Sequence, residues 1–240
     1  MVINELSQAL RKLLPLRPCG AVIVAAGTAS RMGGIDKVMA PLLGEPMLAH
    51  TVRAFQNSQV IRQIVVVTRA DLVQTVTELC KSFDKVKAVV VGGSTRTESV
   101  ENGLNALSKG IKMAAVHDGA RPLVSDPVID RTVRAANTYG AAAPAIPVKD
   151  TVKQVEGGIV KQTPDRSKLR AVQTPQVFDV DILRGALKKV RSGKLEVTDD
   201  CSAVELLGMS VKIVEGDERN LKITTPIDLQ IAKLLMEEKP

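Results

Sequence analysis

Tryptophan is absent from the 240 residues, tyrosine occurs once and phenylalanine three times. Sites that grip single-stranded nucleic acid usually stack bases on aromatic rings, and this chain has almost none to offer. Its core must instead be built from Val, Ile, Leu, Ala and Met. Cysteine is scarce too: Cys19, Cys80 and Cys201 are far apart and odd in number. That excludes CxxC and zinc-ligand spacings and fits a reduced, cytoplasmic protein. With only His50 and His117 present, neither an HExxH cluster nor a convincing Ser-His-Asp or Cys-His set can be assembled, so covalent catalysis is not indicated. No apolar run reaches the roughly 18 residues of a membrane span. Residues 1–17 carry Arg11, Lys12 and Arg17 among scattered leucines. They lack the apolar centre of a signal peptide and are read as an N-terminal extension, a short amphipathic helix or a frayed tail. Neither GxGxxG nor a Walker A spacing occurs.

What is present is a basic chain with an α/β rhythm. A net charge of +7 suits an anionic partner, phosphate or nucleic acid, although no dense Lys/Arg run appears. Short β-branched runs at Ala21–Ala25, Ile64–Thr68, Ala88–Val91, Ala114–His117 and Ala141–Pro147 read as strands. Helical stretches lie between them: Pro46–Gln56, Asp71–Lys81, a segment capped at Thr95 with Glu98 three residues on, and Asp126–Tyr139 with Pro127 in its first turn. Continuous apolar strands separated by helices imply an α/β fold, a mostly parallel sheet covered on both faces. Residues Thr151–Val155 and Ile159–Thr163 flank Gly157-Gly158, a hairpin signature that breaks the rhythm and marks an excursion from the sheet. Further on, Asp200–Leu207 and Pro226–Met236 read as helices with a strand at Val211–Glu215.

In such sheets ligands bind beyond the carboxyl ends of the strands, so the residues just after each strand should share one site. They are Ala26-Gly27-Thr28-Ala29-Ser30-Arg31, then Gly92-Gly93-Ser94-Thr95-Arg96, then Asp118-Gly119-Ala120-Arg121, then Lys149, Asp150 and Thr151. A small-residue loop with Arg31 and Lys37 after it can wrap a polyphosphate through its backbone N–H groups, or it can be a plain glycine-rich turn with two solvated cations. Asp118 at a strand end can hold Mg²⁺ or a sugar hydroxyl, and Arg121 can pair a phosphate. His117, within the strand, reads as a satisfied structural histidine, as does His50.

The ordered set AAGTASRMGGIDK, VHDGARP, PVKDTVK, TPQVF and NLKITTPIDL resembles the 2-C-methyl-D-erythritol 4-phosphate cytidylyltransferase family from about Gly20 to about Leu235. The resemblance implies a Rossmann-like, glycosyltransferase-A-like nucleotidyltransferase fold, mostly parallel with helices on both faces, as a single domain over 18–240 with a protruding β-arm at about 148–173. It implies transfer of CMP from CTP to the phosphate of methylerythritol phosphate, in the non-mevalonate route to isoprenoids, with Mg²⁺ or another divalent cation. Catalytic roles fall on Arg31 and Lys37. Nucleotide contacts fall on Ala25, Ala26, Gly27, Gly93, Ser99, Asp118 and Lys222, with Asp118 also at the metal. Acceptor contacts fall on Asp118, Arg121 and Thr174, and on Thr151 and Arg166, which the β-arm carries to the neighbouring subunit of a homodimer. No nucleic acid and no membrane is expected as a partner. The chain departs from the family pattern with Val38 after the lysine, where the family often has Gln or Leu, and Ser94 where some relatives carry an acidic residue.

Three rivals share parts of this pattern. Ribitol-5-phosphate cytidylyltransferases share the fold and the CTP loop but tend toward a Ser-Val pair where this chain has Gly119-Ala120. Sugar-1-phosphate nucleotidyltransferases usually need a longer glycine-rich loop and a larger second region. A non-catalytic basic nucleic-acid-binding protein would use the +7 charge but lacks aromatics.

Overall fold

The computed structural model describes residues 15–27 and 37–238, and Lys37 through its backbone only. The described residues form one eight-stranded sheet with helices on both faces and, outside it, a minimal two-stranded pair at 41–46 and a small two-stranded ribbon. Strand β1 (Cys19–Ala25) leads to the short β2 (Pro41–Leu42) and β3 (Glu45–Pro46), and helix α1 (Met47–Asn57) then runs into β4 (Ile61–Thr68). Helix α2 (Val73–Cys80), β5 (Val86–Val91), α3 (Arg96–Asn105), β6 (Met113–Asp118), α4 (Asp126–Tyr139) and β7 (Ala141–Pro147) continue the alternation. The ribbon is β8 (Gln154–Glu156) and β9 (Ile159–Gln162); β10 (Arg170–Val172) and β11 (Gln176–Asp179) follow it. Helices α5 (Val180–Gly193) and α6 (Asp200–Glu205), strand β12 (Lys212–Glu215) and helix α7 (Pro226–Glu237) complete the chain.

The order across the sheet is β10-β7-β11-β6-β1-β4-β5, with β12 also paired to β7. Strands β1, β4, β5 and β6 pair in parallel, as the apolar runs imply, and β12 runs parallel to β7. Two strands depart from the alternation. β11 inserts antiparallel between β6 and β7, and β10 caps the edge antiparallel to β7. Residues 170–172 therefore belong to the main sheet, so the excursion from it is shorter than the 148–173 span suggests.

The strands bury both faces because successive side chains alternate between them. Ala21, Ile23 and Ala25 of β1, Ile64 and Val66 of β4, and Met113 and Ala115 of β6 meet Phe55 of α1, Val76 of α2 and Ile129 and Val133 of α4. On the opposite face, Val22, Val65, Val67, Ala114 and Val116 meet Val100 and Leu104 of α3, Leu183 and Leu187 of α5 and Val204 of α6. Each large aliphatic side chain fully buried there contributes roughly 1.5–3 kcal/mol. Helix α5 buries Leu183, Ala186, Leu187 and Val190 and is capped by the Asp179 carboxylate, which accepts from the N–H groups of Asp181 and Ile182. A third, smaller cluster joins Leu42, Met47 and Ala120 to Ile223 and to Ala232 of α7. It clamps the C-terminal helix under the loop after β6.

Candidate active site

A cavity of about 660 Å³ opens at the carboxyl ends of β1, β4, β5 and β6, within the size range of a nucleotide site. Its wall contains the backbone turn Ala25-Ala26-Gly27, the segment Gly92–Arg96 with Ser99, and Asp118, Ala120 and Lys222. Three of the four strand ends singled out from sequence thus meet in one place. The fourth does not: Lys149 pairs with Glu218 and Thr151 is exposed at the root of the ribbon. The end of β4, with Arg69 and Ala70, lines the cavity instead.

The turn after β5 comes close because it lacks side chains. A Cβ on Gly92 would stand 2.4 Å from the Ala26 Cβ, and one on Gly93 would stand 2.2 Å from the Glu98 Cβ. The Gly93 N–H donates to Ser99 Oγ at 3.1 Å, and the Ser99 hydroxyl donates to the Thr95 carbonyl at 2.9 Å. Thr95 caps α3, its hydroxyl accepting from the Glu98 N–H. The Glu98 carboxylate reaches back to the N–H and hydroxyl of Ser94, which stiffens the turn from the solvent side.

Asp118, 9% exposed, is the centre of charge. Lys222 Nζ lies 2.9 Å from its Oδ2, Arg121 Nε 3.6 Å from the same oxygen, and Arg96 Nη2 3.7 Å from Oδ1. Burial pushes its pKa up, but the charges of Lys222, Arg96 and Arg121 override that and hold it at about 2. The carboxyl is therefore an anion at any working pH. Lys222 reaches it because the loop after β12 is stitched to the loop after β6: the Ile223 N–H donates to the Ala120 carbonyl at 2.9 Å, and Arg121 Nη1 donates to the Asn220 carbonyl at 2.7 Å.

Behind Asp118 sits a closed polar hub. His117, wholly buried, places Nε2 3.1 Å from the Arg121 carbonyl, so that nitrogen carries the proton. Nδ1 then accepts from the Thr174 hydroxyl at 3.0 Å, and that oxygen accepts from the Asp118 N–H at 3.1 Å. Asn220 donates to the Thr174 carbonyl, and Gln173 to the carbonyl of Asp217. Thr174 thus stands behind the carboxylate, 4% exposed, with its proton committed to His117. Arg121 lies beside it with Nε buried and without a hydrogen-bond partner.

Burial lowers the His117 pKa to about 4, against the opposing pull of its hydrogen bond to Arg121. The unfolded chain takes up this proton near the ordinary value of 6.5. The hub's stabilisation is therefore complete above pH 6.5 and lost progressively as pH falls toward 4, by on the order of 3 kcal/mol for this one group. Urea unfolding at pH 7 and pH 4.5 checks this, with His117→Gln flattening the wild-type fall. An equal fall in both proteins would assign it to other groups.

Sequence reasoning passed over one buried pair. Arg96, at the start of α3, sends Nη1 to Asp200 Oδ2 at 2.7 Å, and Asp200 is 2% exposed. Its only signal in the sequence is the cation after the Gly-Gly turn; nothing near Asp200 marks it beyond the helix start. Of the other expected site residues, Arg31 lies outside the described residues, and so does the Lys37 side chain. Arg166 is exposed beyond the ribbon, donating to the Lys149 carbonyl. Among the described residues no group of three or more His, Cys, Asp and Glu could hold a metal by itself, and burial raises the thiol pKa of Cys19, Cys80 and Cys201.

The resemblance extends to whole chains. A curated protein of Dehalococcoides mccartyi named 2-C-methyl-D-erythritol 4-phosphate cytidylyltransferase is 45% identical over 222 residues, covering 91% of this chain and 96% of that one. The crystal structure of a 4-diphosphocytidyl-2C-methyl-D-erythritol synthase from Anaerococcus prevotii superposes with a TM-score of 0.84 at 29% identity, over 92% of this chain and 97% of that one. The 2-C-methyl-D-erythritol 4-phosphate cytidylyltransferase of Thermus thermophilus superposes with a TM-score of 0.75 at 33% identity, over 92% and 100%. The family model for 2-C-methyl-D-erythritol 4-phosphate cytidylyltransferase matches residues 19–238, all but the two ends, and the chain belongs to that family.

Proposed function

We propose that this protein transfers CMP from CTP to 2-C-methyl-D-erythritol 4-phosphate, releasing pyrophosphate, in isoprenoid-precursor synthesis. The observation that carries the reading is the cavity at the strand ends, where a small-residue turn faces an ionised carboxylate ringed by Lys222, Arg96 and Arg121. Two phosphate anions must approach one another in this reaction, and positive charge with open backbone is what such an approach needs. The acceptor phosphate is already a nucleophile, so no general base is required. One of its oxygens bonds to the α-phosphorus of CTP as the bond from that phosphorus to the bridging oxygen breaks, and pyrophosphate leaves in line.

In this reading Ala25, Ala26 and Gly27 cradle the nucleotide, Gly93 and Ser99 shape the wall for cytosine, and Lys222 meets the phosphates. Arg31 and Lys37 stabilise the charge on the reacting phosphoryl group. Arg121 and Thr174 serve the acceptor side, Thr174 by fixing the backbone of Asp118 through the hydrogen bond described above. Asp118 fits a divalent cation: a single ionised carboxylate beside a triphosphate is the usual protein share of a Mg²⁺ site. When bound, that cation supplies neutralisation of the triphosphate charge. One domain over residues 18–240 carries all of this, and its arm places Thr151 and Arg166 at the site of a second subunit. Among the described residues no helix is long and apolar enough to cross a membrane, and a reduced cytoplasmic setting suits three buried thiols.

Pyrophosphate release with CTP and Mg²⁺, measured in parallel with methylerythritol phosphate and with ribitol 5-phosphate, tests the assignment. Release is expected with the first acceptor only. Release with ribitol 5-phosphate alone would overturn the acceptor, and silence with both from folded protein would overturn the reaction.

A further inference from the structure

Asp200 does not line the cavity, yet it is one of the most deeply buried charges of the described residues and is held with unusual care. It is the first residue of α6, whose start is fixed by the Asp199–Ser202 capping box. Gln176 of β11 locks that start to the sheet: its Oε1 accepts from the N–H groups of Asp200 and Cys201, both at 3.1 Å, and its Nε2 donates to Asp199 Oδ2 at 2.8 Å. The carboxylate so positioned takes Arg96 Nη1 at 2.7 Å. The other amino group of Arg96 stops 3.7 Å short of Asp118 Oδ1, within ion-pair range and beyond a hydrogen bond. Burial pushes the Asp200 pKa up, and the charge of Arg96 opposes that.

An unrestrained arginine beside an ionised carboxylate forms a paired, fork-to-fork contact. Here Arg96 makes no such contact with Asp118: one amino group donates to Asp200 at 2.7 Å and the other stays 3.7 Å from Asp118 Oδ1. We propose that Asp200 is a positioning residue which, by holding one amino group of Arg96, keeps the guanidinium from closing on Asp118 and so leaves Asp118 Oδ1 open to the incoming nucleotide. The inference rests on the reading that this cavity takes CTP.

Calorimetric titration of CTP with Mg²⁺ into wild type, Asp200→Asn, Asp200→Glu, Arg96→Ala and the double variant Asp200→Asn/Arg96→Ala tests it, beside steady-state kinetics for both substrates. Asp200→Asn is expected to weaken CTP binding about tenfold, the loss typical of partners that orient a site residue. The KM for CTP rises in step, and the KM for methylerythritol phosphate stays within about twofold, a split that general loosening of the fold would not produce. Asp200→Glu keeps the buried counter-ion, and with it the fold, and is expected to restore CTP binding to within about threefold of wild type. The double variant binds CTP no more weakly than Arg96→Ala alone, since Asp200 acts through Arg96. Wild-type affinity in folded Asp200→Asn, a loss in Asp200→Glu as large as in Asp200→Asn, or full additivity in the double variant would each overturn the inference. Wild-type protein that binds no CTP would instead bring down the functional reading on which it rests.

Discussion

Lys37→Ala is expected to lower kcat by about a hundred- to thousandfold, equivalent to about 3–4 kcal/mol of transition-state stabilisation, with little change in melting midpoint. The argument starts from the backbone. Lys37 opens a single 3₁₀ turn, Lys37–Met39, and the next residue, Val38, is buried and lines the cavity wall. The turn is held by that valine, and Ala40, just beyond it, is buried and accepts from the Met47 N–H at 2.9 Å. Truncating the Lys37 side chain leaves those anchors in place. In the reaction, charge accumulates on the transferring phosphoryl group as bonds form and break, so a lysine that meets this charge acts more strongly in the transition state than in the ground state. The loss should fall on kcat, with the KM for CTP changing much less. Steady-state rates and a thermal melt on the same preparation check both halves. Turnover near wild type would strike Lys37 from the catalytic set, and a collapse of the melt would make the residue structural.

Much of this was legible beforehand because the signals were local. Continuous β-branched runs marked the parallel strands, since a strand buried on both faces needs apolar residues at every position. Glycine pairs marked the turns: Gly157 and Gly158 both take positive φ, 57° and 79°, in the ribbon predicted at that point. Most of what was missed was short or non-local. β11 spans four residues, Gln176–Asp179, with polar ends and a proline before it, and only its antiparallel insertion between β6 and β7 makes it a strand. Helix α5 differs: Leu183, Ala186, Leu187 and Val190 at helical spacing behind an Asp179 cap are a local helix signal that the strand-and-helix pattern above does not include. At the site, Asp118 stood out as a charge at a strand end, and Lys222 came only with the family resemblance. Asp200 did not, because a buried counter-ion is defined by the partner it meets 104 residues away and by nothing in its own neighbourhood. The strand-end rule also overreached at β7, whose end leads onto the ribbon rather than into the cavity.

The ribbon carries the second large expectation. Among the described residues it pairs only with itself, and Val155, Ile159 and Val160 on it are 53%, 66% and 53% exposed. A lone two-stranded hairpin is marginal in water, and apolar side chains displayed on one need a surface to cover them. Arg166 and Thr151, at its base, are exposed and do not line the cavity of their own chain. If each arm completes the site of a partner, Arg166→Ala loses a charge-assisted contact to the acceptor phosphate and is expected to cost on the order of a hundredfold in activity. Lys37→Ala and Arg166→Ala would then be defective in complementary halves of a shared site. Refolded together in equal amounts, half of the dimers should be mixed, and each mixed dimer holds one site with both residues intact and one with neither. Activity should therefore return to about a quarter of wild type from two nearly inactive proteins. An arm that serves its own chain gives no recovery on mixing, because every site then lacks one of the two residues whatever its neighbour. Size-exclusion chromatography of the mixture separates that result from a simple failure to dimerise: recovery of a quarter in the dimer fraction establishes the crossed arm, and a dimer without recovery refutes it.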